Sequence, residues 1–291
     1  MFKGSIVALV TPFKGNEIDE NALRDLVDWH IANGTDGIVP VGTTGESPTL
    51  NHEEHERVIE IVIDQCKKRI PIIAGTGSNS TTEAINLLKH AENAGADAAL
   101  VVTPYYNKPT PEGLYEHYKA LNRSSSGIPI IIYNIPSRSV IDIDINLMSK
   151  LSKLENIIGV KDATSDISRI KKYKDSCKDG FIQLSGEDET IYDYMINGGH
   201  GCISVTANIF PKICSDMHKA FLKNDLEKAR ELNQKLMPFH KALFFETSPS
   251  PVKYVLSKMK LIDYDIRLPL VKIREETQEI IDKLLSETEL F

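Results

Sequence analysis

PIIAGTGSNSTTEAINLLKHAENAGADAALVVT, which spans residues 71–103, contains the pattern that decides the fold. Two short apolar runs, Pro71–Gly75 and Ala98–Thr103, enclose a stretch with apolar residues at helical spacing. That stretch opens on the capping sequence Ser80–Glu83 and stops at Gly95, which is typical of a helix. Nearly continuous apolar runs are typical of parallel strands that are buried on both faces. The segment therefore predicts a strand, a helix and a second, parallel strand.

The same unit repeats along the chain. Eight short apolar runs alternate with longer amphipathic stretches, and one strand–helix–strand unit takes about 30 residues. Eight strands with intervening helices predict an α/β fold of the (β/α)8 type, a TIM barrel, rather than a doubly wound sheet. The other six predicted strands are Ser5–Val10, Gly37–Val41, Ile130–Asn134, Ile157–Lys161, Phe181–Ser185 and Cys202–Val205.

The C-terminal part of the sequence has a different pattern. From about Asn208 onward no strand pattern occurs, and residues 208–291 predict helices that close the last unit and then extend it. The 291 residues suit one barrel, which takes about 250 residues, plus an extension. We expect a catalytic barrel over residues 1–225 and a C-terminal helical extension over residues 226–291 that packs on the barrel.

Composition and charge argue against several classes of protein. Apolar residues make up 41% of the chain and charged residues 26%, which is ordinary for a soluble globular protein. The net charge is −7 with both signs interspersed, which argues against a nucleic-acid or membrane partner. No run approaches the roughly 20 apolar residues of a membrane span, and the start lacks the order of a signal peptide. The four cysteines have no C-x-x-C spacing and fit reduced thiols, so we expect a cytoplasmic protein.

Two residues near the ends of neighbouring predicted strands favour covalent chemistry. In a TIM barrel the active site lies at the C-terminal ends of the strands. Lys161 ends an apolar strand, where burial disfavours its ammonium form and favours the neutral amine that attacks a ketone to form a Schiff base. Tyr133 lies in the same register on the preceding strand, so its hydroxyl can shuttle protons for that amine. Alone, each residue fits a strand-end side chain without a catalytic role, but the pair favours an enzyme.

Other polar residues follow the predicted strands at the same end. Thr43 and Thr44 lie between two glycines, where exposed amides and two hydroxyls suit a carboxylate, although an ordinary turn fits equally well. Arg138 offers a planar fork for a second carboxylate, or else a surface ion pair. Glu187 and its acidic neighbours follow the seventh predicted strand, where many barrels bind phosphate, and they predict an unphosphorylated substrate.

Cofactor and metal signatures are missing from the sequence. His52 and His55 are one residue short of the spacing of a zinc protease motif. Gly75 and Gly77 have no third glycine to complete a dinucleotide-binding fingerprint, and no Walker loop occurs. We therefore expect neither a cofactor nor a metal.

Three motifs occur in order along the chain: GTTGE at 42–46, YNIPSR at 133–138 and GVKDAT at 159–164. They resemble the three motifs of the superfamily of dihydrodipicolinate synthase and N-acetylneuraminate lyase. The resemblance covers essentially the whole chain, and three spaced motifs in the same order are highly specific. Arg138 and the sequence TPYYN at 103–107 resemble the synthase branch rather than the sialic-acid lyases.

The resemblance to the synthase branch implies a reaction. Its members condense pyruvate with L-aspartate-4-semialdehyde to 4-hydroxy-tetrahydrodipicolinate, the first committed step of the diaminopimelate route to lysine. By the same resemblance, Lys161 forms the imine with pyruvate. The other implied roles are proton relay for Tyr133, Thr43 and Tyr106, and substrate contacts for Thr44, Arg138, Gly186 and Ile203.

The resemblance also implies an oligomer and an inhibitor. The family residue that matches Tyr106 reaches into the active site of a neighbouring subunit, which implies a catalytic dimer, usually paired into a homotetramer. In some members L-lysine binds at the dimer interface as a feedback inhibitor. An alternative for this chain is that Glu83 only caps a helix and that the two histidines are solvated first-turn residues. The matching residues are Pro48, His52, His55, Asn79, Glu83 and Tyr105.

Two other functions remain open from the sequence. One is another pyruvate-dependent Schiff-base enzyme, such as N-acetylneuraminate lyase or a keto-deoxy-sugar aldolase. The other is a non-catalytic barrel that serves as a binding or regulatory protein. Such a protein is expected to lose Lys161 or Tyr133, and the sequence retains both.

Overall fold

A computed structural model describes residues 2–288 of the chain. Ten strands lie within this range, and most of them are short and buried. They are β1 (Gly4–Ala8), β2 (Phe13–Lys14), β3 (Glu17–Ile18), β4 (Gly37–Val39), β5 (Ile73–Gly75), β6 (Ala98–Val102), β7 (Ile130–Asn134), β8 (Ile157–Asp162), β9 (Ile182–Ser185) and β10 (Gly201–Ser204).

Twelve α-helices occur in the same described range, and two 3-10 turns lie at Ser47–Thr49 and Thr206–Asn208. The helices are α1 (Glu20–Ala32), α2 (His52–Cys66), α3 (Thr81–Ala94), α4 (Pro111–Ser124), α5 (Pro136–Ser139), α6 (Ile145–Ser152), α7 (Ser168–Ser176), α8 (Ile191–Ile196), α9 (Pro211–Leu222), α10 (Leu226–Ala242), α11 (Ser250–Lys258) and α12 (Glu275–Ser286).

The chain separates into two compact units, and the first is built mainly from Pro71–Ile203. Its strands β5 to β10 are parallel, and each is hydrogen-bonded to the next in chain order. The apolar core includes Val101, Ile132 and Tyr118, none of which is exposed. The Tyr118 hydroxyl donates a hydrogen bond to the Val101 carbonyl at 3.2 Å, so the polar end of this core residue is satisfied.

The second unit is built from Gly4–Ile70 and the chain from Ser204 onward. Here β1 pairs with β4 in parallel, and β2 pairs with β3 as a small antiparallel ribbon. Helix α1 packs on α2, and α9 packs on α10. Both guanidinium contacts from Arg57 to Glu20 measure 2.7 Å, and this bidentate pair ties α2 to the start of α1.

All eight predicted strands are present, each with ends within two residues of the prediction. The predicted helix start at Ser80 is confirmed, because its hydroxyl accepts a hydrogen bond from the Glu83 amide at 3.4 Å. After Asn208 the described chain contains only helices and loops, as predicted. The β2–β3 ribbon was not predicted, because strands of two residues show no periodicity. No helix among residues 2–288 is both long enough and apolar enough to span a membrane.

His30 on α1 makes the stability of the fold sensitive to acid. The residue is fully buried, and burial lowers the pKa of its imidazole to about 3. Because this value lies below the unfolded value of about 6.5, the stabilisation is complete above pH 6.5 and is lost as the pH falls toward 3. We expect His30 alone to lower the free energy of unfolding by about 1.4 kcal/mol per pH unit in that window. Urea unfolding at pH 7.0 and 5.5 measures the difference.

The His30→Gln variant tests whether this residue is the cause. The free energy of unfolding of this variant should differ less between pH 7.0 and pH 5.5 than that of the unmodified chain. His52→Gln is the matched control, because His52 is exposed and should leave the difference unchanged. A His30→Gln variant with the full acid sensitivity would contradict the assignment.

Candidate active site

Lys161 and Tyr133 lie side by side near the C-terminal ends of β8 and β7. They are register partners in the parallel pair, which places both side chains on the same face of the sheet. The Lys161 Nζ lies 4.1 Å from the centroid of the Tyr133 ring, and each residue is only 6% exposed. The adjacency that the sequence predicted is therefore present, and it joins a buried amine to a phenol.

A buried polar network fixes the strand ends that carry this pair. Asn134 and Asp162, which directly follow the two reactive residues, are also register partners. The Asp162 carboxylate accepts a hydrogen bond from the Tyr173 hydroxyl at 2.8 Å and lies 3.2 Å from the Arg169 Nε. Asp142 then links the strands, because it accepts hydrogen bonds from Asn134 at 2.8 Å and from Arg169 at 2.9 Å. Such a second layer limits the directions that the reactive side chains can take.

Gly186 borders the Lys161 side chain directly after β9. A Cβ atom at Gly186 would lie 3.1 Å from the Lys161 Cε and 2.8 Å from the Ala163 Cβ, so a larger residue would displace the lysine. Ile203, the other residue predicted to make a backbone contact, is 1% exposed within β10. The structure thus places Gly186 against the Lys161 side chain, and it places Ile203 in the buried interior of its strand.

Glu187 follows in the same loop and has an unusual carboxyl group. Burial raises the pKa of Glu187 to about 7, and the neighbouring carboxylates of Asp188 and Asp162 add to the rise. The positive charges of Lys161 and Arg138 act in the opposite direction. A carboxyl group whose pKa is near neutral and which interacts electrostatically with a reactive amine is a candidate for proton transfer. The sequence interpretation treated Glu187 only as a deterrent to phosphate, although its place at a strand end was an available signal.

Thr43 and Thr44 belong to the second unit and lie in the tight turn after β4. The Glu46 amide donates to the Thr43 carbonyl at 3.1 Å, and the Thr11 hydroxyl donates to the Gly45 carbonyl at 2.7 Å. A Cβ atom at Gly45 would meet backbone at 3.0 Å, so a larger residue would force the turn to shift. Thr44 is 5% exposed, and Thr43 is half-buried. Hydroxyls and amides held this way suit a carboxylate.

A buried ion pair anchors the same turn. The Glu46 Oε1 lies 2.5 Å from the Lys253 Nζ, and both side chains are completely buried. The other Glu46 oxygen accepts a hydrogen bond from the Arg267 amide at 3.2 Å. The Arg267 guanidinium in turn binds the two carboxylate oxygens of Glu54 at 2.6 and 2.7 Å. The sequence interpretation did not find this network, because 207 residues separate Glu46 from Lys253.

Arg138 and Tyr106 are exposed residues of the first unit. Arg138 lies on α5, directly after β7, and its charge acts on the carboxyl group of Glu187. Tyr106 is 89% exposed and has a φ angle of 72°, a left-handed conformation that residues other than glycine seldom adopt. A strained, exposed aromatic residue is a candidate for a contact with another molecule.

Three of the residues that match the lysine site lie together in the first unit. The Tyr105 hydroxyl lies among the side chain of Ser78, the backbone of Asn79 and the carboxylate of Glu83. Burial raises the pKa of Tyr105, and the negative charge of Glu83 adds to the rise. Asn79, Glu83 and Tyr105 therefore form one polar cluster.

The other three residues of that set lie in the second unit. Pro48 is exposed in the 3-10 turn, and His52 is exposed at the start of α2. His55 is only 4% exposed, so the alternative that both histidines are solvated is wrong for this residue. Within residues 2–288 no group of three His, Cys, Asp or Glu side chains is arranged to hold a metal ion.

Comparisons with known proteins identify the family of the chain. The model of the dihydrodipicolinate synthetase family matches residues 1–288. The 4-hydroxy-tetrahydrodipicolinate synthase of Bradyrhizobium diazoefficiens is 56% identical over 277 residues, which cover 95% of this chain and 93% of that protein.

Two solved structures extend the likeness to the fold. The chloride-inhibited dihydrodipicolinate synthase of Acinetobacter baumannii, crystallised with pyruvate, is 47% identical with a TM-score of 0.97 over 100% of both chains. The enzyme of Cyanidioschyzon merolae with lysine bound is 31% identical with a TM-score of 0.96 over 100% of this chain and 99% of that one. The fold class is therefore the predicted (β/α)8 barrel with C-terminal helices. The chain belongs to the dihydrodipicolinate synthetase family.

Proposed function

We propose that the chain is a lyase of the Schiff-base type, which condenses pyruvate with L-aspartate-4-semialdehyde to 4-hydroxy-tetrahydrodipicolinate. The observation that carries this function is the buried Lys161 amine, 4.1 Å from the centroid of the Tyr133 ring. The B. diazoefficiens relative carries the name of this activity, and the A. baumannii relative was crystallised with pyruvate. The reaction opens the diaminopimelate route to lysine, and we propose that it takes place in the cytoplasm.

Imine formation at Lys161 is the first half of the reaction. The neutral amine adds to the keto carbon of pyruvate, and loss of water leaves an imine. Departure of the hydroxyl group requires a proton donor, and the Tyr133 phenol lies beside the amine. We assign the continuation of this proton relay to Thr43 and to Tyr106 of a neighbouring subunit. Thr44 and the amides of its turn hold the pyruvate carboxylate.

The second half of the reaction joins the two substrates. Loss of a proton from the pyruvate methyl group gives an enamine, which attacks the aldehyde carbon of the second substrate. The amino group of the adduct then displaces Lys161 while the ring closes. Arg138 binds the carboxylate of the aldehyde substrate through its planar guanidinium, and the backbone at Gly186 and Ile203 contacts the pyruvate part.

Reductive trapping tests the proposed function directly. Borohydride reduces the imine with pyruvate to a stable amine, and peptide mass mapping should find the added mass on the peptide that contains Lys161. In a parallel assay, pyruvate with L-aspartate-4-semialdehyde should turn over, whereas N-acetylneuraminate should not be cleaved. Labelling of a different lysine, or no labelling, would contradict the proposal.

The Arg138→Ala variant should separate the two substrates. We expect kcat/KM for the aldehyde to fall about 100-fold, because a bidentate contact to a carboxylate is lost. Trapping of pyruvate should stay within about twofold of the unmodified enzyme, since imine formation at Lys161 precedes aldehyde binding. Arg123→Ala, at an exposed arginine on α4, is the control and should leave both readouts unchanged. Equal loss of trapping and turnover in Arg138→Ala would argue against the assignment.

We also propose a homo-oligomer, a dimer of dimers, in which Tyr106 enters the active site of a neighbouring subunit. Its 89% exposure and left-handed backbone support this, because a contact across an interface would cover the ring. L-lysine is the proposed feedback inhibitor. The cluster of Asn79, Glu83 and Tyr105 supports this role, and the C. merolae relative was solved with lysine bound. The division at residue 225 into a barrel and a helical extension remains a prediction.

A further inference from the structure

We propose that Glu187 recognises the ammonium group of the amino-aldehyde substrate and removes one of its protons, so that the free amine can displace Lys161. The inference rests on the proposed function, because it concerns the second substrate of that reaction. It assigns the two ends of an α-amino acid to two protein groups, with Arg138 on the carboxylate and Glu187 on the ammonium.

Glu187 directly follows Gly186, which packs against the Lys161 side chain, and the charge on Lys161 acts on its carboxyl group. A Cβ atom at Gly186 would lie 3.1 Å from the Lys161 Cε, so the loop that carries Glu187 starts in contact with the lysine side chain. Two 3.0 Å hydrogen bonds between the Ser185 hydroxyl and the Glu187 backbone fix this loop. Glu187 also lines a small cavity with Asp162 and Tyr194, which Lys161 and Arg138 do not line, so there is open space next to Glu187. Its carboxyl group accepts no hydrogen bond from the residues that the structure describes, so it is available to a ligand.

The charges around Glu187 suit a zwitterion. Lys161 on β8 and Arg138 on α5 act on its carboxyl group as cations. Asp162 on β8 and Asp188 in the same loop act on it as carboxylates. An arginine and a carboxylate at one site complement the carboxylate and ammonium of an amino acid, whereas an aldehyde without an amino group would use the arginine alone.

The protonation behaviour of Glu187 fits this task. Burial raises the pKa of its carboxyl group to about 7, so a large fraction is ionised at neutral pH and can accept a proton. A base with a pKa near the working pH also returns its proton readily, which the last part of the exchange requires.

The exchange can be written so that protons and bonds balance. The ammonium gives one proton to the Glu187 carboxylate, and the free amine attacks the carbon of the protonated imine, which is bonded to the Lys161 nitrogen. A carbon–nitrogen bond to the substrate amine forms, and the bond to Lys161 breaks as a second proton passes from the attacking nitrogen to the lysine nitrogen. Glu187 then gives its proton to the released amine of Lys161, which restores the carboxylate and leaves Lys161 as an ammonium that loses this proton to solvent before the next imine forms.

Glu187→Gln is the test variant, because glutamine keeps the size of the side chain but cannot take up a proton. We expect kcat/KM for L-aspartate-4-semialdehyde to fall about 100-fold at pH 8. In the unmodified enzyme kcat/KM should rise with pH through about 7, since the carboxylate is the active form, and the variant should lose this rise. Inhibition by 4-oxobutanoate, the same aldehyde without its amino group, should stay within about twofold.

Glu189→Gln is the matched control, because it removes the same charge from an exposed position in the same loop and should leave every readout unchanged. Trapping of pyruvate by borohydride separates the possible failures. If the unmodified enzyme does not trap pyruvate on Lys161, the proposed function fails and this inference fails with it. If the unmodified enzyme does trap pyruvate, two results would overturn the role of Glu187 alone. In the first, Glu187→Gln keeps the activity and the pH profile of the unmodified enzyme. In the second, it binds both aldehydes more weakly to the same extent.

Discussion

Lys161→Met should abolish the condensation, with a fall in kcat of at least about 10⁴-fold. Methionine keeps an unbranched apolar side chain in a position that is 6% exposed, so the packing beside Tyr133 is largely retained. What disappears is the nitrogen that bonds to pyruvate, and no imine or enamine can form without it. A coupled assay for the condensation measures the loss, and mass mapping after borohydride reduction should find no pyruvate adduct.

Two further variants show whether the loss is covalent in origin. Lys161→Arg supplies a permanent positive charge but cannot form the imine, so it should be as inactive as Lys161→Met. Lys171→Met is the matched control, because the side chain of Lys171 on α7 is 81% exposed and should be dispensable. Activity in Lys161→Arg that approaches that of the unmodified enzyme would show that the charge matters and the nucleophile does not.

The Lys161–Tyr133 pair could be predicted because it depends on register alone. Both residues lie near the C-terminal ends of consecutive parallel strands, and such strands place residues of equal register on one face. Ile157–Gly159 and Ile130–Ile132 supplied the apolar runs that fixed the two strands. A reactive amine next to a phenol then followed from strand order without knowledge of any distant contact.

Groups that depend on distant contacts could not be predicted. Burial is the main cause of the raised pKa of Glu187, and the charges on Asp188 and Asp162 add to the rise, against the charges on Lys161 and Arg138. Only Asp188 is visible in the sequence of the loop itself, because the burial and the other charges come from distant segments. The partner of Glu46 lies 207 residues away on α11, and a lysine within an apolar helix face has no marker that identifies its carboxylate. Sequence patterns therefore predict which strand or helix carries a residue and whether the residue lies at a strand end. The protonation state of a side chain depends instead on the complete packing around it.

Lys253→Met should cause a large loss of stability, about 3–5 kcal/mol in the free energy of unfolding. The Glu46 carboxylate and the Lys253 ammonium are completely buried 2.5 Å apart. Removal of the ammonium leaves a buried carboxylate whose charge is no longer balanced by its partner, and desolvation of such a charge is expensive. Urea unfolding followed by circular dichroism measures the loss.

Lys258→Met on the same helix is the matched control for this loss. Lys258 pairs with Asp282 at 2.9 Å, but the two side chains are 48% and 40% exposed, so water screens the pair. We expect its removal to change the free energy of unfolding by about 0–1 kcal/mol. Equal effects of the two substitutions would mean that burial does not determine how much the Glu46–Lys253 pair contributes to the free energy of unfolding.

The double variant Glu46→Gln with Lys253→Met separates stability from activity. Glutamine removes the buried charge and still accepts the hydrogen bond from the Arg267 amide, which measures 3.2 Å, so much of the lost stability should return. The turn that contains Thr43 and Thr44 would nevertheless lose its ionic anchor, and we expect the KM for pyruvate to rise about tenfold. The KM for the aldehyde should change little, because the turn is assigned to the pyruvate carboxylate. A stable double variant with an unchanged KM for pyruvate would show that the ion pair supports the fold alone and that the turn holds its shape without it.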